Sequence, residues 1–308
     1  MLHSIIICLT SERCVREAVG AVARLVLCGF DSQVLHCEGN ALPMLPEALR
    51  QEETLLLVDD PQLAETLTAQ GWYVSGLQPV DCNDPFPGVQ VVFSEIDEVD
   101  PDSFVKAYER MAGLPWHILT TERCIIRETT MEDLDSFYQI YADPAMTRYM
   151  EGLYEDPEDE RRYLRDYIDK VYAFLGFGIW TVTLRQDGTV IGRAGYSIRE
   201  GFEHLELGFL IGTPWQRQGY ALEVCRAILD YGRDVLALDQ VETFVKEGNE
   251  VSLRLCERLG FRAVGEAELV ENLYGDTYSG DMKRVGAEEA RCGRYIRMTL
   301  RMTASAGK

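Results

Sequence analysis

The residues with the clearest chemical purpose lie in ELGFLIGTPWQRQGYALEVCRAIL, from Glu206 to Leu229. An apolar strand-like run stops at Gly212-Thr213-Pro214, and Gln216, Gly219 and Ala221 follow at the spacing Q-x-x-G-x-A. Ala221, Val224, Cys225, Ile228 and Leu229 then take the one-face spacing of a helix. A loop entering a helix in this way presents backbone N–H groups with no partner in the preceding turn, at the positive end of the helix dipole, and so suits a diphosphate. Gly219 has no side chain to hold the backbone away from such a ligand, and Ala221 has a small one.

Upstream on the same strand, Glu206 is the first candidate for a general base. A carboxylate on that strand could take a proton from an attacking nucleophile. The competing expectation is that an alternating strand turns Glu206 to solvent. His204, two residues earlier, could relay a proton but is expected to be exposed. Glu151, Glu155, Asp156, Glu158, Asp159 and Glu160 crowd the stretch EGLYEDPEDERR. These carboxylates could attract a cationic acceptor, or Asp156-Pro157-Glu158-Asp159 could simply cap a helix.

The elements that would position these residues can be read on either side. The chain begins with buried-strand runs at Ser4 to Cys8, Thr54 to Val58 and Val89 to Phe93, alternating with helical spacing at Pro61 to Gln70 and Pro101 to Met111. This predicts a small Rossmann-like parallel α/β layer over residues 1–120. Within it, LLLVDDPQLAETLTAQGWYVSG resembles the later half of a haloacid-dehalogenase domain, but IIICLTSERC supplies no aspartate nucleophile, so the resemblance is to a degenerate one. Asp59 and Asp60 are expected to cap the following helix rather than hold a metal.

From residue 121 onward the pattern is mixed α+β. Cys124 to Arg127 reads as a strand, Thr129-Thr130-Met131-Glu132 as a capping box, and Tyr163, Leu164, Tyr167, Ile168, Val171 and Tyr172 as a helix face. Strands follow at Ile179 to Leu184, Val190 to Ile198, Leu205 to Ile211 and Val241 to Val245. Asn249-Glu250-Val251-Ser252 opens a helix that ends at Leu259-Gly260-Phe261.

The order of strand, diphosphate loop, helix, strand, N-x-x-S helix and G-F strand is similar to the GNAT superfamily of N-acetyltransferases, and within it to the branch acting on ribosomal-protein N-termini and related amines. The resemblance covers about Cys124 to Met302 and implies a mixed domain, residues 121–308, with a splayed central sheet. It implies acetyl-CoA as cofactor, bound by Gln216, Arg217, Gln218, Gly219, Tyr220 and Ala221 through the pyrophosphate. Pantetheine would lie along Phe209, Leu210 and Ile211, with Asn249 and Ser252 on its arm. The reaction implied is direct attack of a primary amine, a small cationic amine or a peptide N-terminus, in a ternary complex. Where relatives keep a tyrosine as general acid, seven residues after the asparagine, this chain has Cys256, read as packing, so Ser252 becomes the candidate donor. That departure sustains an alternative: a non-catalytic acyl-CoA-binding regulator.

Composition narrows the partners. A formal net charge of -21 over 308 residues argues against nucleic acid and anionic lipid. No apolar run is long enough to cross a membrane and no signal peptide is apparent, which places the protein in the cytoplasm. Nine cysteines without a C-x-x-C pair predict reduced thiols and no cysteine metal site. The oligomeric state stays open, a homodimer included.

Overall fold

The computed structural model describes residues 1–37, 42–78, 82 and 84–302. The chain divides into two compact units, Met1–Trp116 and His117–Lys308.

The first unit contains β1 (Ser4–Leu9), α1 (Val15–Leu27), β2 (Asp31–His36), β3 (Thr54–Val58), α2 (Pro61–Ala69), β4 (Tyr73–Leu77), β5 (Val92–Phe93) and α3 (Pro101–Met111). The strands form one parallel sheet in the order β2-β1-β3-β4-β5. Every residue of β1 and β3 is buried because helices cover both faces. Ala18, Ala21 and Leu25 of α1 and Phe104 and Tyr108 of α3 pack on one face, Leu63, Ala64 and Leu67 of α2 on the other. The expected strand at Val89 to Phe93 shrinks to two residues, because Gly88 adopts a positive φ and the Val89 amide turns back to the Phe86 carbonyl. Sequence reasoning missed α1 and β2: α1 starts without a side-chain cap, and β2 is a polar edge strand.

Asp60 caps α2 by accepting from the Leu63 amide at 2.7 Å. Asp59 does something different. Its carboxylate takes four donors, the amides and hydroxyls of Thr10 and Ser11, at 2.7 to 3.1 Å. It ties the loop after β1 to the end of β3, and neither aspartate is left as a nucleophile, so the haloacid-dehalogenase resemblance gains nothing here.

The second unit contains β6 (His117–Thr120), β7 (Cys124–Arg127), α4 (Leu134–Tyr141), α5 (Pro144–Thr147), α6 (Pro157–Asp166), a π-helical stretch Tyr167–Tyr172, α7 (Ala173–Leu175), β8 (Ile179–Leu184), β9 (Val190–Ser197), β10 (Glu206–Ile211), α8 (Tyr220–Asp234), β11 (Gln240–Lys246), α9 (Glu250–Leu259), β12 (Arg262–Val270) and β13 (Cys292–Arg301). Their order is β12-β13-β11-β10-β9-β8-β7-β6, antiparallel throughout except for β10 beside β11. The fold is thus α/β in its first unit and a mixed, splayed sheet in its second.

Alternation divides that sheet's faces. Trp180, Tyr196 and Leu207 point to the core against Val224, Cys225 and Ile228 of α8, with the Tyr196 hydroxyl donating to the Ile228 carbonyl at 2.9 Å. Leu210 packs on Ile140 and Met146 of α4 and α5 on the opposite face. The capping box stands one residue later than predicted, on Thr130 and Asp133, where the Thr130 amide donates to the Asp133 carboxylate at 2.9 Å. Thr129 is instead buried, sharing its hydroxyl with Tyr172 and Thr181.

Candidate active site

The loop between β10 and α8 is held open by its own residues. Gln216 donates to the Ile211 carbonyl at 2.8 Å and Gln218 to the Pro214 carbonyl at 2.8 Å, so both side chains brace the loop. Arg217 takes a φ of 59° and Gly219 one of 88°; the second is the left-handed cap from which α8 starts. Glycine is the residue that adopts this conformation without strain. The amides from Arg217 to Leu222 donate to no described partner. This cradle fits an anionic diphosphate: unpaired N–H groups, a helix N-terminus, and no side chain on Gly219.

An acid in the first turn of that helix would oppose an anion, and Glu223 is such an acid. Its carboxylate is turned aside. It accepts from the Thr121 hydroxyl at 2.7 Å, the Arg123 amide at 2.9 Å and the Arg123 Nε at 2.7 Å. Burial alone would raise the Glu223 carboxyl, but these donors outweigh it and hold it below the usual carboxylate range. Arg123 also donates to the Gln218 carbonyl at 3.1 Å and lies 4.1 Å over the Tyr220 ring. Thr121 and Arg123 carry no local signal in the sequence, because their partner lies 102 and 100 positions away.

Beyond the loop, β10 and β11 share a single ladder pair, Glu206 with Glu242. The Glu242 amide still donates to the Leu205 carbonyl at 2.9 Å, and the Thr243 hydroxyl to the Leu207 carbonyl at 3.0 Å. From Gly208 onward the strands part. The Gly212 amide donates to Ile191 on the β9 side, so by alternation the amides of Phe209 and Ile211 face the gap. Leu210 is set differently from its neighbours, buried with its side chain against α4 and α5.

Asn249 caps α9, its Oδ1 accepting from the Ser252 amide at 3.2 Å, and Ser252 is half-buried behind it. Tyr220 and Ala221 are half-buried on the core. Cys256 has no exposed surface, and burial pushes its thiol up to about 12. It is a packing residue beside Thr243, as its type suggests.

The expectation that alternation could turn Glu206 to solvent is overturned. Glu206 is 8% exposed, on the face covered by α4 to α6, and its carboxylate accepts from Arg199 Nε at 2.5 Å. Beside it, Glu242 is fully buried and bound by Arg297 through two donors at 2.5 and 3.1 Å. Nothing local in the sequence marks Glu242 or either arginine, since only strand pairing brings them together. His204 is half-buried and bonds to no described partner.

The acidic run EGLYEDPEDERR is mostly spent on structure. Asp156 caps α6 by accepting from the Glu158 amide at 2.9 Å. Asp159 binds Arg162 and the Tyr278 amide, and Glu160, 3% exposed, accepts from the Tyr154 amide at 3.0 Å. Burial pushes the Glu160 carboxyl up despite that amide. The surface of this wall is aromatic: Tyr163 touches the rings of Tyr154, Tyr274 and Tyr278 at centroid distances of 5.6 to 5.8 Å. Glu151 and Glu155 remain exposed at the surface, although burial pushes the Glu151 carboxyl up while it accepts from the Leu273 amide.

A family model described as "Acetyltransferase (GNAT) domain" matches residues 123–262, the stretch that carries the loop, the parted strands and the Asn249 cap. Residues 123–262 are a GNAT acetyltransferase domain. The chain is 27% identical over 148 residues to the uncharacterized N-acetyltransferase p20 of Bacillus licheniformis, covering 48% of this chain and 83% of that one. It is 28% identical over 155 residues to the uncharacterized N-acetyltransferase YoaA of Bacillus subtilis, covering 48% of this chain and 84% of that one. Among solved structures, the ribosomal-protein-S5-alanine acetyltransferase from Vibrio fischeri aligns at 17% identity with a TM-score of 0.45, over 59% of this chain and 95% of that one. With its GNAT domain and N-acetyltransferase relatives, the protein is an acetyltransferase of the N-acetyltransferase kind. No helix among the described residues is long and apolar enough to cross a membrane.

Proposed function

We propose that the GNAT domain transfers the acetyl group of acetyl-CoA to a primary amine by direct attack in a ternary complex. The observation that carries this reading is the parting of β10 and β11 after one ladder pair, directly beside a helix start whose amides are unpaired. Acetyl-CoA, when bound, supplies an acyl group activated as a thioester. The amides of Arg217 to Leu222 receive its pyrophosphate, with Gly219 allowing close approach and Arg123 cancelling the charge of Glu223. Phe209 and Ile211 would hold pantetheine through their gap-facing amides, and the Phe209 amide would supply a hydrogen bond to an acyl oxygen as charge gathers there. Asn249 and Ser252 stand at the far wall of the gap.

On the other face, Glu206 takes a proton from the bound ammonium, directly or through a water, which frees the neutral amine to attack, while Arg199 fixes the orientation of its carboxylate. Glu242 does not share this role, because its carboxylate is fully enclosed with Arg297. Ser252, half-buried, is the proton donor proposed for the departing thiolate. The amine is cationic until it gives up that proton, and the exposed Glu151 favours its approach.

The test is thiol release from acetyl-CoA against a panel of polyamines, amino acids and N-terminal peptides, with calorimetry of coenzyme A alongside. Turnover with one class of amine, abolished by Glu206→Gln without loss of coenzyme A binding, supports the reading; tight binding with no turnover on any amine refutes the transfer chemistry.

A further inference from the structure

Arg193 is an anomaly of charge. The chain has 51 acidic residues against 30 lysines and arginines, so a half-buried basic side chain such as this one should find a carboxylate. Arg193 forms no ion pair among the described residues, and its Nε is enclosed without a hydrogen-bond partner. Its guanidinium lies 4.7 Å over the Phe137 ring, near the hydroxyl of Tyr141. The nearby acids are committed elsewhere: Glu160 to the Tyr154 amide, Asp133 to Arg127 and Thr181. A guanidinium whose Nε is withdrawn from water and left unsatisfied costs free energy that an aromatic face only partly offsets. Such a fork is suited to a planar carboxylate brought by a ligand.

Its location gives the ligand. Arg193 stands opposite Leu210 on β10, and Ser197 opposite Glu206. Arg193, Glu206 and the intervening Gly208 therefore share the face turned to α4 to α6. Gly208 carries no side chain, and a Cβ there would meet only Ile179 Cδ1, at 3.3 Å. It leaves a bare patch with Glu206 two positions to one side and Leu210, beside Arg193, two positions to the other. Each step is about 7 Å of strand, and long side chains shorten both. An amine above Gly208 would lie within reach of Glu206, and a carboxylate on the same molecule within reach of Arg193.

The geometry points to Arg193 as the binding group for a carboxylate of the acceptor, which is then an amino acid or a similar zwitterion rather than a polyamine. This inference rests on the proposed transfer reaction and narrows its substrate class. Arg193 is not the base; it selects and orients the acceptor.

The test compares each common amino acid with its amide, which keeps the amine and removes the negative charge. In the wild type, kcat/KM for the best free acid should exceed that for its amide by about ten- to a hundredfold. Arg193→Gln should remove the preference by lowering the acid alone, and Arg193→Lys should keep part of it. Equal use of acid and amide by the wild type, or an equal loss on both in Arg193→Gln, overturns the assignment. Should Arg193→Gln fail to fold, the wild-type preference decides, together with competitive inhibition against the amine by 3-phenylpropanoate, which has the carboxylate and no amine. If coenzyme A binds but no amine is turned over, the transfer reading has failed. Calorimetry of the coenzyme A complex with amino acids then judges Arg193 alone: binding that the amides lack sustains it, and no binding overturns it.

Discussion

Each unit contains a parallel strand pair at its centre, β1 beside β3 and β10 beside β11, and the two pairs are built to opposite ends. β1 and β3 pair over five successive residues, and the Asp59 carboxylate locks their carboxyl ends with four donors. β10 and β11 pair once and separate, leaving backbone amides of Phe209 and Ile211 turned into the gap. In the first unit the place where an α/β sheet commonly receives ligands is closed by a side chain; in the second it is left open and faced by the start of α8. A parallel pair that completes its ladder is scaffold, and one that abandons it must gain its remaining hydrogen bonds from something else.

The largest expected effect breaks the open pair. Gly219→Asp would force an L side chain into a φ of 88° and put a carboxylate at the amides that receive the pyrophosphate. Coenzyme A affinity should fall by about a hundredfold or more, read by calorimetry. Glu206→Gln leaves the cradle intact and should lower kcat/KM by about 10²- to 10⁴-fold, with coenzyme A binding unchanged.

Asp59→Ala is the counterpart in the closed pair. Leaving the donors of Thr10 and Ser11 without their acceptor should destabilise the first unit by about 1 to 3 kcal/mol in denaturant unfolding, while coenzyme A affinity stays at the wild-type value. A matching loss of affinity would show that the two pairs are not independent in function.

Arg123→Ala acts more gently on the loop. It uncovers the Glu223 charge and should weaken coenzyme A about three- to tenfold. It also changes the pH response of stability. The Glu223 carboxyl is held below its unfolded value, so its contribution is present above the usual carboxylate pKa and is lost as pH falls through the depressed one. The difference in stability between wild type and Arg123→Ala should therefore shrink as the solution is acidified below about pH 4. The smallest effect belongs to Cys256→Ala: a modest loss of stability, about 1 kcal/mol, and turnover within about twofold, because a buried thiol pushed up to about 12 serves packing. A collapse of turnover would return the proton-donor role to this position.

How much of this was legible follows from range. The loop, the start of α8, the strands around it and the Asn249 cap are local patterns, and the sequence carries them within a residue or two. Asp60 announced itself as a cap because its partner, the Leu63 amide, is three residues away. Asp59 sits beside it in an identical local context and binds across 48 and 49 positions to Thr10 and Ser11. The same holds for Arg123 with Glu223 and Arg297 with Glu242, 100 and 55 positions apart; Arg199 is only seven residues from Glu206, but the two meet only once β9 and β10 pair. Charge density misled in the acidic run: capping claims Asp156, the Tyr278 amide claims Asp159 and the Tyr154 amide claims Glu160, and nothing in a count of carboxylates separates those from Glu151.

The most direct measurement is amide hydrogen exchange with and without coenzyme A. Protection should rise at Phe209, Ile211 and the amides from Arg217 to Leu222, while β1 and β3, already fully paired, stay unchanged. Coenzyme A that binds without slowing exchange in that segment would contradict the claim that the abandoned ladder between β10 and β11 is the cofactor's place.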